Sequence, residues 1–201
     1  MTLGDHGKIG CLTMQVVTLV IAILGLCTAI SSLTWNVVMF LLQGARPKVT
    51  ALAGVVAAGG MICGPAAASM VHSIRRTQDA NPGAPLALAV EMVNRGRLPL
   101  HVYSLAVYCE PSKIRYVPGT ADFLTGEFPT EIPAGAKATV AIRLDWAAGL
   151  RYASEGALGK RQRIFCAVSS SSREHRTKEI PHSILDLVTT GPGHRDPPSS
   201  L

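Results

Sequence analysis

The residues of this chain best suited to chemistry are a few histidines and carboxylates near its C-terminal end: Glu174-His175, and His182 with Asp186. On a helix, side chains four positions apart share a face, where a carboxylate can orient an imidazole or the two can offer a metal two ligands. A working site needs more, either a nucleophile beside the base or further ligands. The sequence shows no G-x-S-x-G elbow, no H-E-x-x-H helix, no C-x-x-C pair and no dinucleotide fingerprint. The Gly-rich stretch around residues 59–65 lacks the Gly-Lys-Ser/Thr ending of a phosphate loop. The cluster therefore reads as solvated surface. No catalytic residue, cofactor or metal ligand is expected and an enzyme is disfavoured, although a site assembled from distant residues leaves no trace in spacing.

Charge offers a second handle. Arg151, Lys160, Arg161, Arg163, Arg173, Arg176 and Lys178 outnumber Glu155 and Glu174 over the same stretch. The expectation is an electropositive end of the domain, facing anionic lipid headgroups if the domain lies beside a membrane. Nucleic acid is not expected, because stacking aromatics or a recognition helix would have to accompany the charge and only Tyr152 and Phe165 lie nearby.

The elements that position these residues begin with an apolar segment. Residues 9–45 contain no Lys, Arg, Asp or Glu. About 20 apolar residues cross a bilayer core, so residues 11–43 read as a transmembrane helix with an interfacial extension, after a flank at 1–10. Trp35 suits the interface. A cleaved signal peptide is the alternative, with Ala29-Ile30-Ser31 as its small-residue site, but cleavage there would leave residues 33–42 as an exposed apolar N-terminus. Lys8 precedes the helix while Arg46 and Lys48 follow it closely, and this bias favours a single-pass protein with its soluble domain in the cytoplasm. Within the helix, Gln15, Thr18, Ala22, Gly25, Ala29, Ser32 and Asn36 recur at steps of three and four. Small residues let helices approach closely in lipid and amides bond across the seam, so the stripe predicts self-association of the anchor.

Lys8 and Asp5 cancel, so residues 46–201 carry the whole net charge of +6. They read as one β-rich domain over 46–190 and a Gly/Pro/Ser-rich disordered tail over 191–201. The weakly apolar window 49–71 reads as a strand over 48–56, a flexible connection over 59–65 and a strand over 69–74, with a second membrane span as the alternative. Leu86, Leu88, Val90 and Met92 alternate with smaller residues, marking a strand. Asn94-Arg95-Gly96-Arg97 then predicts a hairpin turn into a strand over 98–108. Residues 114–117 and 138–144 follow as strands, Asp145 as the N-cap of a short helix over 146–154, 162–169 as a strand, 169–172 as a turn, 176–180 as an edge strand and 181–188 as a brief helix. Cys109 and Cys166 fall in predicted strands, where buried free thiols are favoured over a cross-sheet disulfide.

Val93-Asn94-Arg95-Gly96 and Ile132-Pro133-Ala134-Gly135, each leading into a strand, resemble the turn punctuation of bacterial immunoglobulin-like and CARDB-type β-sandwiches. With the preceding helix, the layout resembles uncharacterised actinobacterial single-pass membrane proteins carrying such a C-terminal domain. The resemblance implies architecture: an N-terminal transmembrane α-helix and a mainly-β, antiparallel immunoglobulin-like sandwich. Fold does not carry function. The function expected is a membrane-anchored, non-catalytic interaction or scaffold protein with an unidentified protein partner. The alternative is an envelope-facing module for carbohydrate or cell-wall polymer, which ordinarily shows several exposed aromatics.

Overall fold

The computed structural model describes residues 6–43, 46–171 and 173–188, with side chains of the first helix described over 16–39. The chain divides into two compact units, residues 1–44 and 45–201.

The first unit is helix α1, His6–Gln43. Its stretch Val16–Met39 is long and apolar enough to cross a membrane, about 36 Å at 1.5 Å per residue. Its large apolar side chains are exposed. The helix runs unbroken past Trp35. The hydroxyls of Thr28, Ser31 and Thr34 bond back to the carbonyls of Leu24, Cys27 and Ile30, each at 2.8 Å, so each is satisfied within the helix itself.

The second unit is mainly β. In chain order it contains β1 Pro47–Ala57, β2 Gly60–Pro65, α2 Val71–Ala80, β3 Leu86–Asn94, β4 Leu100–Glu110, β5 Arg115–Tyr116, β6 Phe123–Thr125, β7 Thr130–Ile132, β8 Lys137–Arg143, α3 Leu144–Leu158, β9 Arg163–Ser170, β10 Glu174–Arg176 and α4 His182–Leu185. One antiparallel sheet has the order β2-β1-β3-β8-β6. The other has β10-β9-β4-β5, with β7 pairing the start of β4. Leu88, Val90, Met92 and Ile142 of the first sheet pack in one core with Leu105, Val107, Ile164 and Val168 of the second. Burial of such side chains, each about 1.5–3 kcal/mol, is the main stabilising term.

The strands at 48–56, 86–93, 114–117, 138–144 and 162–169 form close to their expected places. Four expectations need correction. Residues 60–65 are not a flexible connection: they are β2, paired with β1 from Leu52↔Pro65 to Ala57↔Gly60. Residues 69–74 are not a strand but a 3-10 turn at Ala68–Met70 leading into α2, because Val71, Ile74 and Thr77 recur at helical spacing and Ile74 is buried. β3 and β4 do not form a hairpin. β3 pairs with β1 and β8 while β4 pairs with β9, so the loop between them crosses from one sheet to the other. Asp145 is not the N-cap of α3: Arg143 holds that place in an extended conformation, and Asp145 lies in the first turn, ion-paired with Arg143, where a negative charge favours the helix N-terminus. α3 is also longer than expected and ends at Gly159, whose φ of +61° lets its N–H close on the Glu155 carbonyl.

The edge strand expected over 176–180 begins earlier, as β10, and its continuation still follows β9, with the Ile180 N–H donating to the Ile164 carbonyl at 2.8 Å. Ser172 and residues 189–201, which include the expected tail, lie outside the described residues.

Candidate functional site

The His and carboxylate pairs do not converge. His182 opens α4 and Asp186 caps its C-terminal end. The Asp186 carboxylate instead accepts a 2.6 Å bond from Arg151 Nη2, and Arg151 Nη1 donates to the His182 carbonyl at 3.5 Å. Arg151 lies within 3.9 Å of Glu155 and 4.4 Å from the centroid of the Tyr152 ring. This cation is 3% exposed and ties α4 to α3. Glu174 lies on β10, where it accepts bonds from the Tyr108 hydroxyl at 2.8 Å and Arg176 Nε at 2.9 Å. His175 faces the other way, 3.3 Å from Ser170 Oγ. Among the described residues no three His, Cys, Asp or Glu side chains are placed to hold a metal ion.

The basic segment is similarly dispersed. Arg151 is buried. Arg163 and Arg176 both reach Glu110, at 3.3 and 2.8 Å, and Arg115 donates to the Tyr108 hydroxyl at 3.4 Å. These groups make a ladder of alternating charge across the outer face of β10, β9, β4 and β5. Such exposed pairs contribute little to stability, but they neutralise one another. Glu110 lies far from the basic segment in sequence, and only the β4–β9 register Glu110↔Arg163 brings it there. Lys160, Arg161, Arg173 and Lys178 remain exposed.

The first sheet offers a different surface. On its outer side, Leu52, Val56, Met61 and Leu124 surround the small residues Ala87, Ala89 and Ala141. Its end strand β2 reads Gly-Met-Ile-Cys-Gly-Pro without a charge, and Ile62 is 56% exposed. By the alternation of an antiparallel ladder, the main-chain groups of Gly60, Ile62 and Gly64 face β1, while those of Met61 and Cys63 face outward. No strand among the described residues pairs with that side. Beside the start of β1 lies a cavity of about 370 Å³ lined by Val49, Ala51, Ala66, Lys178 and Glu179.

Cys109 and Cys166 lie on neighbouring strands of one sheet rather than across the two. They are out of register, Cys109 opposite Ile164 and Cys166 opposite Val107, and both are free and buried. Burial pushes the Cys166 thiol up to about 12. Cys63 is free and exposed, its pKa raised by partial desolvation and then by the charge of Glu91. Trp146, 44% exposed, stacks on Tyr116 with centroids 5.3 Å apart. The Tyr116 hydroxyl is raised to about 12 by burial and by its 2.7 Å bond to Asp122. Sequence reasoning missed this pair because Tyr116 and Trp146 are far apart in the chain.

Of the helix stripe, Thr18, Ala22, Gly25, Ala29, Ser32 and Asn36 lie on one continuous helix, exposed. The side chain of Gln15 lies outside the described residues. Comparison with protein-family models, curated proteins and solved structures finds no match for this chain.

Proposed function

We propose that this chain is a single-pass membrane protein whose soluble unit, an immunoglobulin-like β-sandwich, acts without catalysis as an interaction module, in the cytoplasm. Two antiparallel sheets around one core, joined by the crossing loop after β3, support the sandwich reading. The observation that carries the function is the open edge of β2. Natural sheets protect their edges with charge, proline or cover; β2 carries no charge, and its one proline, Pro65, stands at its last position, leaving the main-chain groups of Met61 and Cys63 facing outward with no strand paired to them among the described residues. A partner strand added there gains main-chain hydrogen bonds, with Ile62 giving side-chain contact. The small-residue stripe of α1 supports pairing of two anchors in the same assembly.

A photo-cross-linking residue at position 62 of the full chain, expressed in cells, tests this. A discrete adduct is expected from position 62 and none from position 160. Cys63→Pro, which removes an outward N–H without breaking the β1–β2 ladder, should abolish it. An adduct of twice the chain's mass identifies a second copy as the partner. Absence of any adduct, or its survival in Cys63→Pro, overturns the proposal.

The half-exposed Trp146 stacked on Tyr116 favours one second reading, a carbohydrate-binding module on the outer face of the membrane. In that case Trp146→Ala removes retention on cell-wall polymer and leaves the position-62 adduct unchanged.

A further inference from the structure

A second exposed group of cations lies outside the segment where the sequence concentrates its basic residues. It lies at the end where the chain enters β1. The Arg95 N–H donates to the Arg46 carbonyl at 2.9 Å, fastening the β3–β4 loop to the incoming chain. Lys48 and Lys137 flank Val93 in register across three strands. Arg46, Lys48, Arg95, Arg97 and Lys137 are all exposed there. Glu91 lies 3.5 Å from Lys137, and Glu131 lies 3.6 Å from His101. At the tip of the loop Leu98 is 53% exposed, between Arg97 and Pro99.

The loop holds this shape through Asn94. Its side-chain amide donates to the carbonyls of Leu98 at 2.8 Å and Ile132 at 3.0 Å, and its Oδ1 accepts the Gly96 N–H at 3.0 Å. An apolar tip ringed by cations on a rigid loop suits a surface that is anionic and apolar beneath. Only Gly44 and Ala45 separate Arg46 from the apolar helix in the chain. We infer that this end of the domain is a second membrane contact. Arg95, Arg97 and Lys48 lie against the phosphates of anionic lipids, and Leu98 enters the headgroup layer. The ladder of Arg163 and Arg176, neutralised by Glu110 and Glu174, takes no part.

This inference rests on the membrane reading of α1, and the two fail separately: incorporation of the chain into lipid discs tests the anchor, and the effect of disc composition tests the surface. The full chain is placed in nanodiscs of phosphatidylcholine alone or with about 30% phosphatidylglycerol, and amide exchange over residues 95–99 is followed by mass spectrometry. Exchange should slow several-fold in the anionic discs at about 0.05 M salt and recover at about 0.5 M, because exposed charges are screened. The combined variant Lys48→Glu, Arg95→Glu, Arg97→Glu should lose the effect. Lys113→Glu, Lys160→Glu, Arg161→Glu, at the far end of the second sheet, should keep it. Unchanged exchange of β3 and β8 in both variants shows that they fold. Equal exchange in the two kinds of disc, slowing that survives the first variant, or slowing abolished by the second, overturns the inference.

Discussion

Asn94 ties together segments separated in sequence by 38 residues. Its side chain serves the loop from Gly96 to Leu98 and the Ile132 and Pro133 carbonyls, while its backbone exchanges bonds with Gly135 and Ala136. The two turn motifs legible in the sequence as separate punctuation are thus one interlock. Asn94→Ala leaves several buried carbonyls unpaired and should cost about 3 kcal/mol in denaturant unfolding, against less than about 0.5 for exposed Arg95→Ala. A cost below about 1 kcal/mol would show that water replaces the amide.

Among the groups that titrate below neutrality, three are shifted and all in one direction. Burial, then the charge of Arg173, holds His175 below its ordinary 6.5, so the fold favours the neutral ring. Burial pulls Glu174 upward, but bonds from Tyr108 and Arg176 outweigh it and hold the carboxyl below 4.5, while Tyr116 and the Gly119 N–H hold Asp122 below 3.8. In each case the unfolded chain binds protons first. Stability is therefore complete at about pH 7 and falls as the pH is lowered, gently below about 6.5 and further below about 4.5. Melting temperature against pH should show both phases, and His175→Gln should remove the first alone.

At the scale of elements, β2 is the case where local pattern and tertiary context disagree. Its Gly, Met, Cys and Pro content reads as a connection, and no residue in it prefers a strand strongly except Ile62. What makes it a strand is pairing with β1, and that pairing is close at Gly54. A Cβ at Gly54 would overlap the Ile62 carbonyl oxygen and sit 2.6 Å from Cys63 Cα. Backbone cannot yield as a flexible side chain can, so Gly54→Ala should displace β2, destabilise by about 3 kcal/mol and accelerate amide exchange over residues 60–65. A neutral Gly54→Ala would mean that the two strands lie farther apart. α2 shows the converse: Val71, Ile74 and Thr77 stand at helical spacing in the sequence, but all three are β-branched, a residue type that favours strands.

At the scale of the whole molecule, for the single-pass membrane protein proposed above, the side of the membrane decides which partners are available. Cys63 is the exposed thiol of the second unit and a native reporter for topology. Its raised pKa leaves little thiolate near neutrality, so a membrane-impermeant maleimide should be applied at about pH 8.5, with Cys63→Ser as the blank. Labelling only after lysis is expected. Labelling of intact cells would place the domain outside and favour the carbohydrate reading.

The sequence by itself determined the apolar helix, the strands with regular alternation and the absence of local catalytic motifs, because each depends on residues within a turn or two of one another. The tertiary structure alone decided which sheet each strand joins, that β3 and β4 part company, that Glu110 neutralises Arg163 and Arg176, and that Arg151 is buried against Asp186. Those outcomes depend on register and long-range packing, in which the partner of a side chain lies tens of residues away. The same physics pairs Arg151, Arg163 and Arg176 of the basic segment with carboxylates, while Lys48, Arg95 and Arg97, scattered in the sequence, stand exposed at the end of the domain where β1 begins.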